Sequence, residues 1–164
     1  MPLPDLPACD RCESPPLAGA DAGLAQPKPH RTVRILYVSR AAERLTQFEV
    51  MQIVAASRSH NWRAGLTGCL LFTGLDFAQV IEGPEATVRA LLERLASDPR
   101  HTGVRVLSNA AADRRRFANW TMGYILDTDL SLDVGALLEA STVSEDIVRR
   151  VMARMAGDVF LGTS

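Results

Sequence analysis

Apolar and polar positions follow two different periods along this chain, and their alternation sets out the elements. Val33-Arg34-Ile35-Leu36-Tyr37-Val38-Ser39 is β-branched and apolar between polar flanks, which predicts a mostly buried strand. Alternation puts Ile35, Tyr37 and Ser39 on one face of it and Leu36 and Val38 on the other. Thr46 with Glu49 forms a capping box that opens a helix through about Ser57, with Phe48, Met51, Val54 and Ala55 as its inner stripe. His60-Asn61 then falls in a loop. A strand over Gly65–Phe72, a turn at Thr73-Gly74-Leu75-Asp76 and a strand over Phe77–Glu82 read as a hairpin, closed by Gly83-Pro84. The helix that follows, to about Ser97, carries Val88, Leu91, Leu92 and Leu95 on one face, with Arg94 and Asp98 on the flank of that stripe. Val104–Leu107 reads as a fourth strand. After the Arg114-Arg115-Arg116 turn, Trp120–Ile125 reads as a fifth, with Trp120 and Met122 sharing a face. Two helices end the chain, one over Leu132–Glu139 and one from Thr142 or Ser144 to Gly157.

The order β-α-β-β-α-β-β predicts an α+β fold of ferredoxin-like type: a five-stranded mixed sheet, two helices on one face and C-terminal helices besides. Right-handed crossovers put both early helices on the same face, leaving a slot between them and the sheet that suits a flat ligand. Leu36, Val38, Ala78 and Val80 point to the other face, where the C-terminal helices are expected as cover.

Composition divides the chain differently. Seven of its nine prolines precede residue 31, in a stretch without aromatic residues or period, so 1–31 reads as a disordered tail. Residues 32–126 read as the folded domain and 127–164 as a helical extension. Cys9 and Cys12 have the spacing of half a zinc site, but a tetrahedral site needs four ligands and only His30 lies near. No metal site is expected. A formal charge of −1 over 164 residues offers no field for nucleic acid or anionic membrane. No apolar run approaches the roughly 18 residues of a membrane span, no secretory leader opens the chain, and three cysteines suit a reducing compartment. A cytoplasmic location follows as an expectation.

Candidate chemistry concentrates around the slot. Gln79 is an amide in the middle of an apolar strand, and Tyr37, also mid-strand, has a hydroxyl to place. Mutual satisfaction within a core accounts for both equally well. Arg94 and Asp98 can likewise be an ordinary i,i+4 surface pair, and Arg100-His101 solvated loop residues. There is no phosphate-binding glycine loop, glycine-flanked serine nucleophile or metal-spaced histidine pair, so no enzyme activity is expected.

At these residues the sequence resembles the BLUF family, blue-light sensors that use FAD. The resemblance rests on Leu36-Tyr37-Val38-Ser39, Ser57-Arg58-Ser59-His60-Asn61, Gly65-Leu66-Thr67-Gly68 and Phe77-Ala78-Gln79-Val80-Ile81-Glu82-Gly83. It continues through Arg94, Asp98-Pro99-Arg100-His101 and Arg116-Phe117-Ala118-Asn119-Trp120-Thr121-Met122-Gly123, covering about 32–125 in unbroken order. It implies that FAD is the cofactor, that Asn61 and Arg94 bond opposite edges of the isoalloxazine, and that Tyr37, Ser39, Gln79, Asp98, Arg100 and His101 complete its surroundings. It implies too that Tyr37, Gln79, Trp120 and Met122 form the photoactive set, with light moving an electron and a proton from Tyr37 through Gln79. Trp62 and Ala78 depart from the family pattern: Trp62 is bulky enough to stack on the cofactor, and Ala78 is smaller than the expected leucine. The remaining chain after Ile125 leaves no room for a catalytic output domain, so the resemblance implies a short stand-alone receptor that signals through a separate partner protein and forms a homo-oligomer, a dimer or larger. The alternatives are a light-insensitive ligand-binding or interaction module on the same fold, an RNA-binding sheet, and a small acyl-phosphate hydrolase.

Overall fold

A computed structural model describes residues 31–161. The proline-rich tail, the Cys9/Cys12 pair and His30 lie outside the described residues. Ten elements follow one another: β1 Thr32–Ala41, α1 Gln47–Ala64, β2 Thr67–Phe72, β3 Asp76–Pro84, α2 Glu85–Ala96, β4 His101–Ala111, β5 Gly123–Leu126, a 3₁₀ turn Thr128–Leu130, α3 Ser131–Glu139 and α4 Glu145–Leu161. The strands order as β4-β1-β3-β2-β5, with β5 parallel to β2 and the other neighbours antiparallel. This is the mixed ferredoxin-like sheet that the sequence predicts.

The two faces separate as the alternation requires. Leu36, Val38, Ala78 and Val80 join Val134, Leu137, Val151 and Met155 in a core under α3 and α4. On the opposite face Ile35, Tyr37 and Ile81 pack with Val88 of α2, and Leu70 and Phe77 pack with Val50 and Val54 of α1. Ala78 is fully buried in the first of these cores, so its small side chain belongs to the C-terminal helices.

Several boundaries differ from the sequence expectation. The capping box at Thr46 is present in both directions, but α1 runs to Ala64, not Ser57, because Gly65 caps it in the left-handed conformation at φ 65°. His60 and Asn61 therefore sit on the last turns of the helix and not in a loop. The inner stripe is also displaced: Val50, Val54 and Asn61 are buried, whereas Phe48, Met51 and Ala55 point outward. Strand β4 is far longer than Val104–Leu107, since an edge strand pairs on one side only and its apolar pattern marks just the middle. Strand β5 begins at Gly123, after Trp120 and Met122, and α4 passes through Gly157 to Leu161.

Candidate functional site

The slot between α1 and α2 is a cavity of about 260 Å³, many times the roughly 10–15 Å³ that one water occupies. Apolar side chains form much of its wall: Ile53 of α1, Leu70 of β2, Phe77 of β3, Leu91 and Leu95 of α2, and Met122. Polar groups converge on it from four elements, with Asn61 and His60 from α1, Gln79 from β3, Arg94 from α2, and Arg100 and His101 at the start of β4.

Tyr37 and Gln79 are direct cross-strand partners in the β1–β3 pairing, so the pleat aims both side chains at one face. The fully buried Tyr37 hydroxyl donates to Gln79 Oε1 at 2.5 Å. Burial, reinforced by the nearby Asp98 charge, pushes the Tyr37 phenol far above its ordinary value. The proton therefore stays on Tyr37 at any physiological pH unless the ring is oxidised. Gln79 Nε2 turns the other way, donating to Met122 Sδ at 3.3 Å. One amide thus joins a phenol on β1 to a thioether just before β5, and lines the cavity between them.

Met122 is held from behind by its own backbone. Arg58 Nε donates to Met122 O at 3.0 Å and Asn61 Nδ2 to Thr121 O at 2.7 Å, both from α1. Across the cavity Arg94 and His60 meet at 3.1 Å. His101 Nδ1 shares a 2.7 Å hydrogen bond with Ser39 Oγ, and its ring lies 4.9 Å from that of Phe77. Burial holds the His101 imidazole below its usual range, with Asp98 opposing the shift. Arg100 grips Asp98 with two side-chain bonds, 2.9 and 2.6 Å, and this pairing draws Asp98 down to about 2.

The structure thus brings Asn61, Gln79, Arg94, Arg100, His101 and Met122 to the cavity wall. Tyr37 stands behind Gln79, Ser39 behind His101, and Asp98 behind Arg100. Three expectations need correction. Asp98 does not flank Arg94 on α2: the helix ends at Ala96, and Asp98 turns to Arg100 instead. Trp120 does not share a face with Met122; it packs against the core under α3 and α4, while Met122 belongs to the α1 side. The reason is local, because strand alternation holds only from Gly123 onward. Trp62 is 77% exposed and does not line the cavity.

Glu82 closes the strand that the sequence predicts over Phe77–Glu82, yet it is fully buried. Its carboxylate accepts from Arg34 Nε at 2.6 Å and from the backbone N–H groups of Arg116 and Phe117 at 2.8 and 2.9 Å. It fastens the segment leading to Trp120 and Met122 onto the middle of the sheet. An acidic residue in a strand otherwise built for burial was the available signal.

An apolar slot with amide and guanidinium groups at its rim fits a flat heterocycle bearing carbonyls on opposite edges. In the curated set, a photoactivated adenylate cyclase subunit beta of Euglena longa is 29% identical over 89 residues, 54% of this chain but 10% of that protein. A blue light- and temperature-regulated antirepressor of Escherichia coli K12 is 35% identical over 69 residues, 42% of this chain and 17% of that protein. The chain thus spans only about a tenth to a sixth of these relatives' length. Among solved structures, BlrB, described as a BLUF protein in its dark state, superposes with a TM-score of 0.66 at 29% identity, covering 79% of this chain and 98% of that one. Klebsiella pneumoniae BlrP1, solved with FMN and cyclic diGMP, gives a TM-score of 0.58 at 30% identity over 77% of this chain and 35% of that one. The family model for sensors of blue light using FAD matches residues 32–123, and with it this chain belongs to the BLUF family.

Proposed function

We propose that this chain is a blue-light photoreceptor that binds FAD between α1 and α2 and reports illumination through a Tyr37–Gln79–Met122 hydrogen-bond relay. The observation that carries the reading is the 2.5 Å bond from the buried Tyr37 hydroxyl to Gln79 Oε1 at the wall of the cavity. Asn61 and Arg94 would hold the two carbonyl edges of the ring, with Ser39, Asp98, Arg100 and His101 around the rest of it. The unit that senses spans 32–126, and 127–164 serves as its helical extension.

Bound FAD supplies, on excitation, an oxidant able to take an electron from a phenol. Tyr37 is the phenol in place. Losing an electron makes its proton strongly acidic, and Gln79 Oε1 is the acceptor. When electron and proton return, the Gln79 amide can settle rotated, or as its tautomer. Rotation exchanges Oε1 and Nε2, so the N–H given to Met122 Sδ is withdrawn and an N–H is presented to Tyr37 Oη instead. Met122 then loses its side-chain tether while Arg58 still holds its carbonyl. A separate protein reads that change as a shift between dark and lit populations.

An absorption spectrum of the purified chain before and after blue light tests this, with the released flavin identified by chromatography. A reversible red shift with FAD as the released species is expected. Tyr37→Phe and Gln79→Leu should each abolish the shift with FAD still bound. An unaltered photocycle in Tyr37→Phe would overturn the mechanism, and a colourless protein refilled by no flavin would overturn the ligand.

A further inference from the structure

Outside the cavity, the least explained feature is the outer flank of α1. Phe48, Met51 and Trp62 are 69%, 54% and 77% exposed, and Ala55 between them is exposed too. At about 100° per residue these four fall within roughly 60° of one another. They form a straight apolar stripe on one flank of the helix, centred roughly 110° round from the buried positions Val50, Val54 and Asn61. Scattered apolar residues on a surface are ordinary; an aligned row of this kind with two aromatic rings is not.

We infer that this stripe is the interface of a symmetric dimer, in which α1 of one copy packs antiparallel against α1 of a second copy about a two-fold axis at Ala55. Phe48 and Trp62 are each seven residues from Ala55. Antiparallel pairing about that centre brings Phe48 of each copy against Trp62 of the other, at both ends of the contact. It sets Met51 across from the small Ser59, and the methyl of Ala55 against its own mate, where helices can approach closely. A two-fold contact needs such a self-complementary surface. Charge favours the same direction. The cations flanking the stripe, Arg58 and Arg63, are both in the C-terminal half of α1, and residues 47–57 contain Glu49 but no Lys or Arg. Parallel pairing would set arginine against arginine; antiparallel pairing sets them against the uncharged or acidic half. The exposed parts of the three large side chains amount to on the order of 400 Å². Two copies with their rim approach the roughly 1,000 Å² at which a specific interface begins.

This surface is also close to the relay. Arg58, at its edge, holds the Met122 carbonyl, so a helix packed on the stripe would register displacement of that segment. The dimer itself requires no flavin, and its test is independent of the photochemistry.

Sedimentation velocity of the full chain over a wide concentration series should show a reversible dimer. Ala55→Glu sets two carboxylates face to face at the axis and should weaken dimerisation by about a hundredfold or more, while the melting temperature, read at a concentration where the unaltered chain is monomeric, stays put. In a background with Cys9 and Cys12 replaced by Ser, Ala55→Cys should form an intermolecular disulfide on mild oxidation, since a residue on the axis meets its own copy. Ala90→Cys, on the exposed side of α2, should not. A chain that stays monomeric throughout overturns the inference. So does a dimer that survives Ala55→Glu and leaves Ala55→Cys uncrosslinked, because its interface then lies elsewhere.

Discussion

The Tyr124 phenol is a group its surroundings do not use. Its oxygen is buried without a hydrogen-bond partner among the described residues, beside the core of Val50, Val54, Phe72 and Met122. A buried hydroxyl without a partner carries a desolvation cost. Tyr124→Phe is therefore expected to be neutral or to stabilise by about 1 kcal/mol, read by urea unfolding. The same chemistry applied to His101 predicts a pH dependence. Its folded-state value lies below the ordinary 6.5 because burial penalises the charged ring. The unfolded chain then binds the proton more readily, so the stability due to the neutral ring is complete above about pH 6.5 and declines as pH falls through the lowered value. Asp98 behaves likewise in a lower window: with its folded value near 2 against an ordinary 3.8, the stability from its grip on Arg100 is present above pH 3.8 and lost toward pH 2. Melting temperatures against pH should show two separate declines, the upper one missing in His101→Gln and the lower one reduced in Asp98→Asn, with Asp133 and Glu49, also held below their usual range, supplying the remainder.

At the scale of elements, the hairpin β2–β3 and the Glu82 clamp decide where the relay sits. Gly68 lies so close to β3 that an added Cβ would meet Val80 O at 2.0 Å, a backbone atom with no flexible end to give. Gly68→Ala should therefore push the two strands apart and cost several kcal/mol, on the order of 3 or more, seen as loss of cooperative unfolding or of expression. Glu82→Gln removes the charge that Arg34 and two backbone N–H groups share, and should cost roughly 3 kcal/mol in denaturant unfolding. Arg34→Met, at a position whose partner keeps its backbone donors, should cost less.

How far the elements were legible follows from the same residues. Alternation in β1 and β3 placed Tyr37 and Gln79 on one face, because a pleat leaves no freedom once a strand is assigned. It failed at Trp120 and Met122, which lie before β5 begins, where no periodic rule operates and tertiary contacts decide. The inner face of α1 was misread for a related reason. Phe48 and Met51 are apolar enough to suggest a core, but Val50, Val54 and Asn61 fill that side, and only the packed molecule distinguishes a core stripe from one offered to a second copy. The extent of α1 was readable in principle from Gly65, which suits a left-handed cap as well as it suits the start of a strand.

For the whole molecule, the sheet separates two tasks. One face holds the cavity and its polar lining; the other is closed by α3 and α4 through Val134, Leu137, Val151 and Met155. Arg150 with Asp133 ties α4 to α3, and Arg105 on β4 reaches the α3 carbonyls of Leu137 and Leu138. A chain cut after Asp127 would expose Leu36, Val38, Ala78 and Val80 to water and is expected to aggregate, checked by light scattering beside the full chain. No described helix is long and apolar enough to cross a membrane.

The Glu82 clamp has a mechanical meaning. Gln79 and Glu82 ride on β3, which is paired on both sides, with β1 and β2, and so is a stiff beam. A change in the amide at one point of that beam cannot be absorbed by bending it. The span from Arg116 to Met122 lies outside the ladder: Glu82 anchors its base, Gly68 N–H bonds Trp120 O, and its tip is held by Gln79, Arg58 and Asn61. In the proposed relay, withdrawal of the Gln79 contact would leave that tip on its α1 bonds, so a rotation of one side chain would be handed to the helix and not spread along the sheet.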